Sequence, residues 1–174
     1  FWDPIDGGWF STTGKDESVL LRLKEDYDGA EPAASSVSVM NLLALSHLVQ
    51  GFSEKIEQTL GVFASRVAQS GRVAPMMLAA LSAYHAGTPQ LVIVGEASDQ
   101  GTRALHDVLR RHYLPTAIVM PFTPDEHDKI SALLPWTATM KAVDGRATAY
   151  LCRNFVCEAP TTDAGQLERL LDRK

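Results

Sequence analysis

The sequence predicts an α+β fold: a helical segment over residues 1–88, followed by a small α/β segment over residues 89–174 with a three- to four-stranded sheet. Three observations predict it. Apolar residues recur at helical spacing between residues 36 and 86. A continuous apolar run rich in β-branched residues, Leu91-Val92-Ile93-Val94, follows Pro89. Strand, helix and strand then succeed one another within about 30 residues, the pattern of a βαβ unit with parallel strands.

The elements follow in order. Residues 1–34 read as loop, punctuated by Pro4, Gly7, Gly8, Gly14, Gly29 and Pro32, with short extended pieces near Trp9–Thr12 and Ser18–Leu23. Gly7-Gly8 marks a tight backbone turn. A first helix is expected from about Ser36 to Gln50, with Ser35 or Ser36 as its cap. Val37, Val39, Met40, Leu42, Leu43, Leu45, Leu48 and Val49 leave it almost no polar face, so it should be buried on most sides. A second helix starts at Ser53. Ile56, Leu60, Phe63 and Val67 form its single stripe, and Gly71 stands just past its end. A third starts near Pro75 and ends at Gly87-Thr88-Pro89.

Leu91–Val94 reads as a strand buried on both faces. The next helix takes Asp99 or Ser98 as cap and places Leu105, Val108, Leu109 and His112 on one side. Thr116–Met120 is a second buried strand, and a short helix spans Asp125–Leu134. Asp144-Gly145 is a hairpin turn joining strands near Thr139–Val143 and Ala147–Cys152. A helix over Ala164–Asp172 closes the chain.

Composition limits function. The 174 residues are 45% apolar and 21% charged, enough for a core without metal or disulfide staples. Sixteen Lys and Arg against 21 Asp and Glu give a net charge of −5, which argues against a nucleic-acid partner. No apolar run reaches the roughly 18 residues of a membrane span. Two large aromatics in the opening Phe1-Trp2-Asp3-Pro4 suggest a piece of a longer protein.

Particular segments carry a resemblance. They are Asp3-Pro4-x-x-Gly7-Gly8-Trp9-Phe10-x-Thr12, and Arg22-x-Lys24-x-x-x-Asp28-Gly29-Ala30-Glu31-Pro32 running into Ser36-Val37 and Asn41-Leu42-Leu43. Ala74-Pro75-Met76-Met77, Leu91–Gly95 and Tyr150-x-Cys152-x4-Cys157-x-x-Pro160 add to them. Together they are similar to the C-terminal part of the spermatogenesis-associated protein 20 family, whose bacterial members are the YyaL-type proteins. That resemblance implies a parent with an N-terminal thioredoxin-like domain and a helical toroid of the six-hairpin glycosidase type. This chain would supply the last helices of the α/α toroid and the small α/β end. It would be cytoplasmic, need no cofactor and be inert alone. A carbohydrate ligand in the parent is implied, with the thioredoxin-like domain as partner. The alternative role is a scaffold or interaction module for that domain. Uncovered helix faces would make the segment a homodimer. The stretch Pro32-Ala33-Ala34-Ser35-Ser36 departs from the family's Pro-Ser-x-Asn-Ser, and Trp9 stands where Phe is common.

Within that frame, Lys24-Glu25-Asp26-Tyr27-Asp28-Gly29-Ala30-Glu31 is the densest polar cluster. Glycosidic chemistry needs two carboxyl groups facing each other across the bond, roughly 5 to 9 Å apart. Asp28 and Glu31 are the candidate catalytic pair, because Gly29 can turn the chain sharply between them. A solvated turn with helix-start acids would have the same composition. Trp9, Phe10, Lys24, Tyr27 and Asn41 are the candidate substrate-binding residues. Trp2, Trp9, Phe10 and Tyr27 could stack on a sugar, although such aromatics commonly fill cores.

Cys152 and Cys157 have neither redox-dithiol nor zinc-knuckle spacing. Buried free thiols are the default reading, with a disulfide or redox role as the alternative if Arg153-Asn154 is a turn. His47, His85, His106, His112 and His127 are scattered and read as surface or capping residues, and no metal site is expected. Gly95–Gly101 sits where α/β proteins cradle phosphate, but it lacks the glycine spacing and carries two acids.

Overall fold

In a computed structural model, which describes residues 1–49 and 51–173, the first helix is α1 (Ala34–Ser46). It starts earlier than expected and stops four residues short; Gln50, its expected end, lies outside the described residues. Ser35 and Ser36 are buried inside the first turn rather than capping it. Ser35 Oγ is taken up by the loop instead, accepting the Trp9 N–H at 3.1 Å.

α2 (Ser53–Ser70) and α3 (Pro75–Ala86) begin where their sequence signals stand. Ile56 and Phe63 of the α2 stripe are buried, with Leu60 and Val67 packed beside them. They meet Val39 and Leu43 of α1 and Met77, Ala80 and Ala83 of α3. Gly71 continues the helix at φ −57° into a 3-10 turn over Gly71–Val73, so it is no left-handed stop. In the loop, Gly7 and Gly8 stand at φ 81° and 78°, a conformation that favours glycine, and Asp3 N–H and the Gly8 carbonyl close the turn at 3.0 Å.

α1 is not buried on most sides. Val37 is 37% exposed and Leu45 41%, because α2 and α3 cover only the flank carrying Val39 and Leu43. These helices show no toroid-like repeat. The expected toroid segment followed by a distinct α/β domain is therefore corrected. The fold is mixed α+β: among the described residues, six α-helices are interleaved with one open four-stranded sheet. The chain forms two compact units, Phe1–Ala86 and Gly87–Lys174.

The sheet has the order β2-β1-β3-β4. β1 (Pro89–Val94) pairs parallel with β2 (Ile118–Phe122) and antiparallel with β3 (Thr148–Arg153). β4 is Val156–Cys157. β1 is buried on both faces by strict alternation. Leu91 and Ile93 meet Leu105, Val108 and Leu109 of α4 (Gln100–Arg111) and Leu167 and Leu170 of α6 (Ala164–Leu171). Val92 and Val94 meet Phe122, Met140, Tyr150 and Cys152 on the other face. The Asp99 carboxylate caps α4 by accepting the Thr102 N–H at 3.2 Å. Gly95 has no room for a Cβ, which would run into Thr102 and Ala147.

Two strand expectations change. β2 starts two residues later than expected, includes Pro121, and is a half-exposed edge strand. An edge is where a strand tolerates proline. Residues 139–143 form no strand. Only Val143 bridges Arg146 across the Asp144-Gly145 turn. The reason is that side chains take up their backbone groups. Tyr150 Oη accepts the Lys141 N–H at 3.0 Å and donates to the Lys141 carbonyl at 2.7 Å, while Thr148 Oγ1 accepts the Val143 N–H at 2.9 Å. A 3-10 turn over Pro124–Glu126 then leads into α5 (His127–Leu133).

Candidate functional site

The acidic loop before α1 is organised by Asp28, which is 9% exposed. Its Oδ1 accepts the Ala33 N–H and its Oδ2 the Met76 N–H, each at 2.8 Å. One carboxylate therefore joins the N-termini of α1 and α3, where helix dipoles favour negative charge. Its own N–H donates to the Val73 carbonyl at 2.7 Å. Glu31 is exposed to solvent, so the two carboxyl groups of the candidate pair occupy different environments.

The remaining candidates divide. Lys24 Nζ lies 2.6 Å from Asp3 Oδ2, with both side chains largely buried. That ammonium, followed by the Ile5 N–H, holds the Asp3 carboxyl below its ordinary pKa. Phe10 takes the Arg22 guanidinium over its ring at 3.9 Å and the Lys24 ammonium at 5.0 Å. Trp9 meets Trp2 edge-on at 4.7 Å and packs against the helical core. Tyr27 and Asn41 are exposed. The loop thus brings Asp3, Phe10, Arg22 and Lys24 together, and leaves Glu31, Tyr27 and Asn41 on the surface.

A second arrangement forms at the carboxyl ends of β1 and β2, the place where open α/β sheets hold ligands. Thr123 and Glu126 form a capping box, with the Thr123 N–H donating to Glu126 Oε2 at 2.8 Å. That box starts the helical turn that carries His127 inward. The expectation of a surface or capping histidine is corrected here, since His127 is 7% exposed and its ring lies against Phe122. Its Nδ1 stands 3.3 Å from Asp128 Oδ1. A carboxylate only accepts, so in this contact Nδ1 is the donor. Nε2 is buried without a hydrogen-bond partner. Val94, Pro124, His127, Asp128, Lys141 and Ala142 line a cavity of about 250 Å³. Sequence reasoning missed it, although the Thr123–Glu126 cap after a strand was a usable signal for where His127 would fall.

Cys152 and Cys157 form a disulfide, which corrects the default reading of free thiols. Directly opposed places on the β3–β4 hairpin bring the sulfurs together. Among the described residues, no group of three or more His, Cys, Asp or Glu could hold a metal ion. Nor is any helix among them long and apolar enough to cross a membrane.

Fold and crevice together define a mixed α+β chain with a small cavity at the strand ends. The chain is similar to spermatogenesis-associated protein 20. It is 36% identical to the human protein over 174 residues, covering 98% of this chain and 22% of that protein. The mouse protein is 35% identical over 175 residues, with the same coverage. An uncharacterized protein of Caenorhabditis elegans is 29% identical over 175 residues, covering 99% of this chain and 23% of that one. The chain thus spans less than a quarter of the length of these relatives. No family model matches it. No solved structure matches it either. The expected carbohydrate role is corrected, because it rested on a six-hairpin toroid and the fold has no toroid-like helical repeat.

Proposed function

We propose that the chain is a C-terminal segment of a protein of the spermatogenesis-associated protein 20 family, and that its sheet-bearing unit binds a small hydroxy acid. The observation that carries the binding reading is His127, a buried imidazole with an unpartnered Nε2, in the wall of the cavity. A polar atom left alone in a buried site costs about 1–3 kcal/mol. A ligand hydroxyl, which can donate or accept, would supply the missing partner once the ring turns toward the cavity. Lys141, exposed on the cavity's rim, offers an ammonium to a carboxylate on the same molecule. The cavity lies below the roughly 300 Å³ at which drug-sized pockets begin, so its occupant is small.

Lactate and glycerate are the probes. Nitrogen-detected NMR of the histidine rings should show His127 Nε2 moving on addition of either. Lys141→Gln should weaken binding, and His127→Phe should abolish it with the fold kept. A His127 signal that stays still under saturating hydroxy acid would end the binding reading.

A second reading rests on α1, with Val37 and Leu45 exposed. Such a face is taken by a second copy of the chain. Light scattering should report a dimer, and Leu45→Lys a monomer. A native chain that is monomeric at high concentration overturns it.

A further inference from the structure

β3 and β4 meet in a two-residue turn, with Asn154 at φ 51° and Phe155 at φ 63°. Both residues in the left-handed region match the twist of an antiparallel hairpin. Arg153 and Val156 flank the turn, and Cys152 faces Cys157 one step further along. The Glu158 N–H donates to the Leu151 carbonyl at 2.9 Å. Cys152 and Cys157 therefore occupy a non-hydrogen-bonded pair, where opposed side chains come closest.

The crosslink is one-sided. Cys152 is wholly buried in the cluster of Val92, Met140 and Tyr150. Cys157 is exposed on a strand of two residues at the sheet's edge. The bond also spans a sequence separation of only 5, across a turn that the hairpin already closes. Stabilisation through chain entropy grows with the length of the closed loop, so this bond restrains the unfolded chain less than a long-range one would. An exposed cysteine bonded to a buried one is instead an arrangement that a thiolate attacks at a single end.

We propose that Cys152–Cys157 is a thiol–disulfide exchange site whose reaction partner is a dithiol. A thiolate of the partner attacks Cys157 Sγ. The Cys152–Cys157 bond breaks, and Cys152 leaves as a thiolate that takes up a proton. The partner's second thiol, deprotonated, then attacks the partner sulfur of the mixed disulfide and expels the Cys157 thiolate, which is protonated in turn. Two electrons pass to the cysteine pair, and the partner ends as a disulfide. Phe155 meets Trp136 edge-on at 5.7 Å, so opening of the hairpin is read by that indole.

The test equilibrates the full chain, without denaturant, in glutathione buffers of graded redox ratio and with dithiothreitol. Alkylation and mass measurement count the thiols. Both states should populate across the ratios, and Trp136 fluorescence should follow the same curve and vanish from it in Trp136→Phe. A pair that stays oxidised through dithiothreitol, or stays reduced at every ratio, overturns the proposal. Single-thiol variants add the direction of attack. Cys152→Ser, which keeps the exposed thiol, should react with oxidised glutathione roughly tenfold or more faster than Cys157→Ser. Equal rates overturn the one-sided step, and the titration of the unsubstituted chain stands even if a variant fails to fold.

Discussion

α1 and α4 differ by one residue in length, 13 against 12, yet they are finished differently. α4 gathers Leu105, Val108 and Leu109 on one side, buries all three, and gives its remaining turns to Arg103, Asp107, Arg110 and Arg111. Its first turn is capped by its own neighbour, Asp99. α1 carries apolar residues all round, buries only one flank, and takes its starting acceptor from Asp28 in the loop. The difference teaches that apolar content does not measure burial. A helix with one stripe declares which side is covered, whereas a helix without a polar side leaves that to its neighbours.

Substitutions can break or sharpen that contrast. The largest effect is expected in the finished helix. Leu105→Ala should cost about 2–5 kcal/mol in urea denaturation, against a change within about 0.5 kcal/mol for Leu45→Ala on the exposed side of α1 when the chain is dilute enough to be monomeric. A Leu45→Ala cost as large as that of Leu105→Ala under those conditions would show that α1 is covered within its own chain. Asp28→Ala comes next. A buried and a half-buried N–H group lose a charged acceptor, at about 2–3 kcal/mol, and loss of helix should be visible by circular dichroism. Asp28→Asn keeps one acceptor oxygen and should cost less than the alanine variant.

The smallest effect is pH-dependent. Asp3 has its folded pKa held below the ordinary value, chiefly by Lys24. Its stabilisation is complete above the unfolded pKa and is lost as pH falls through the folded one. Lys24→Met should therefore flatten acid unfolding below the ordinary carboxylate value. An unchanged acid limb in that variant would mean the pair adds no measurable stability.

What the sequence made legible was local. The α2 stripe, the proline opening α3, the Asp99 cap and the β-branched run of β1 each depend on residues within a turn or two. What it hid was pairing at a distance. Asp28 finds Met76 across 48 positions, and neither residue announces the other. Residues 139–143 have a strand's pattern, but Tyr150 and Thr148 claim their backbone groups. His127 reads as one of five scattered imidazoles until a capping box turns it inward. The toroid came from resemblance alone; helical spacing in three successive helices does not specify a ring. At the candidate site, the loop's charges were legible as a cluster, while their division into a helix-joining Asp28 and a solvated Glu31 was not.

Pro121 has one more consequence. The Phe122 carbonyl accepts from Gly95 in the direction of β1 at 3.1 Å. A strand alternates the direction of its polar groups, so the neighbouring proline nitrogen points outward, where it has no hydrogen to give. A foreign strand approaching that rim meets a missing rung, and the opposite rim offers a partner only two residues long. Cross-β growth is thereby discouraged at both borders of the ladder.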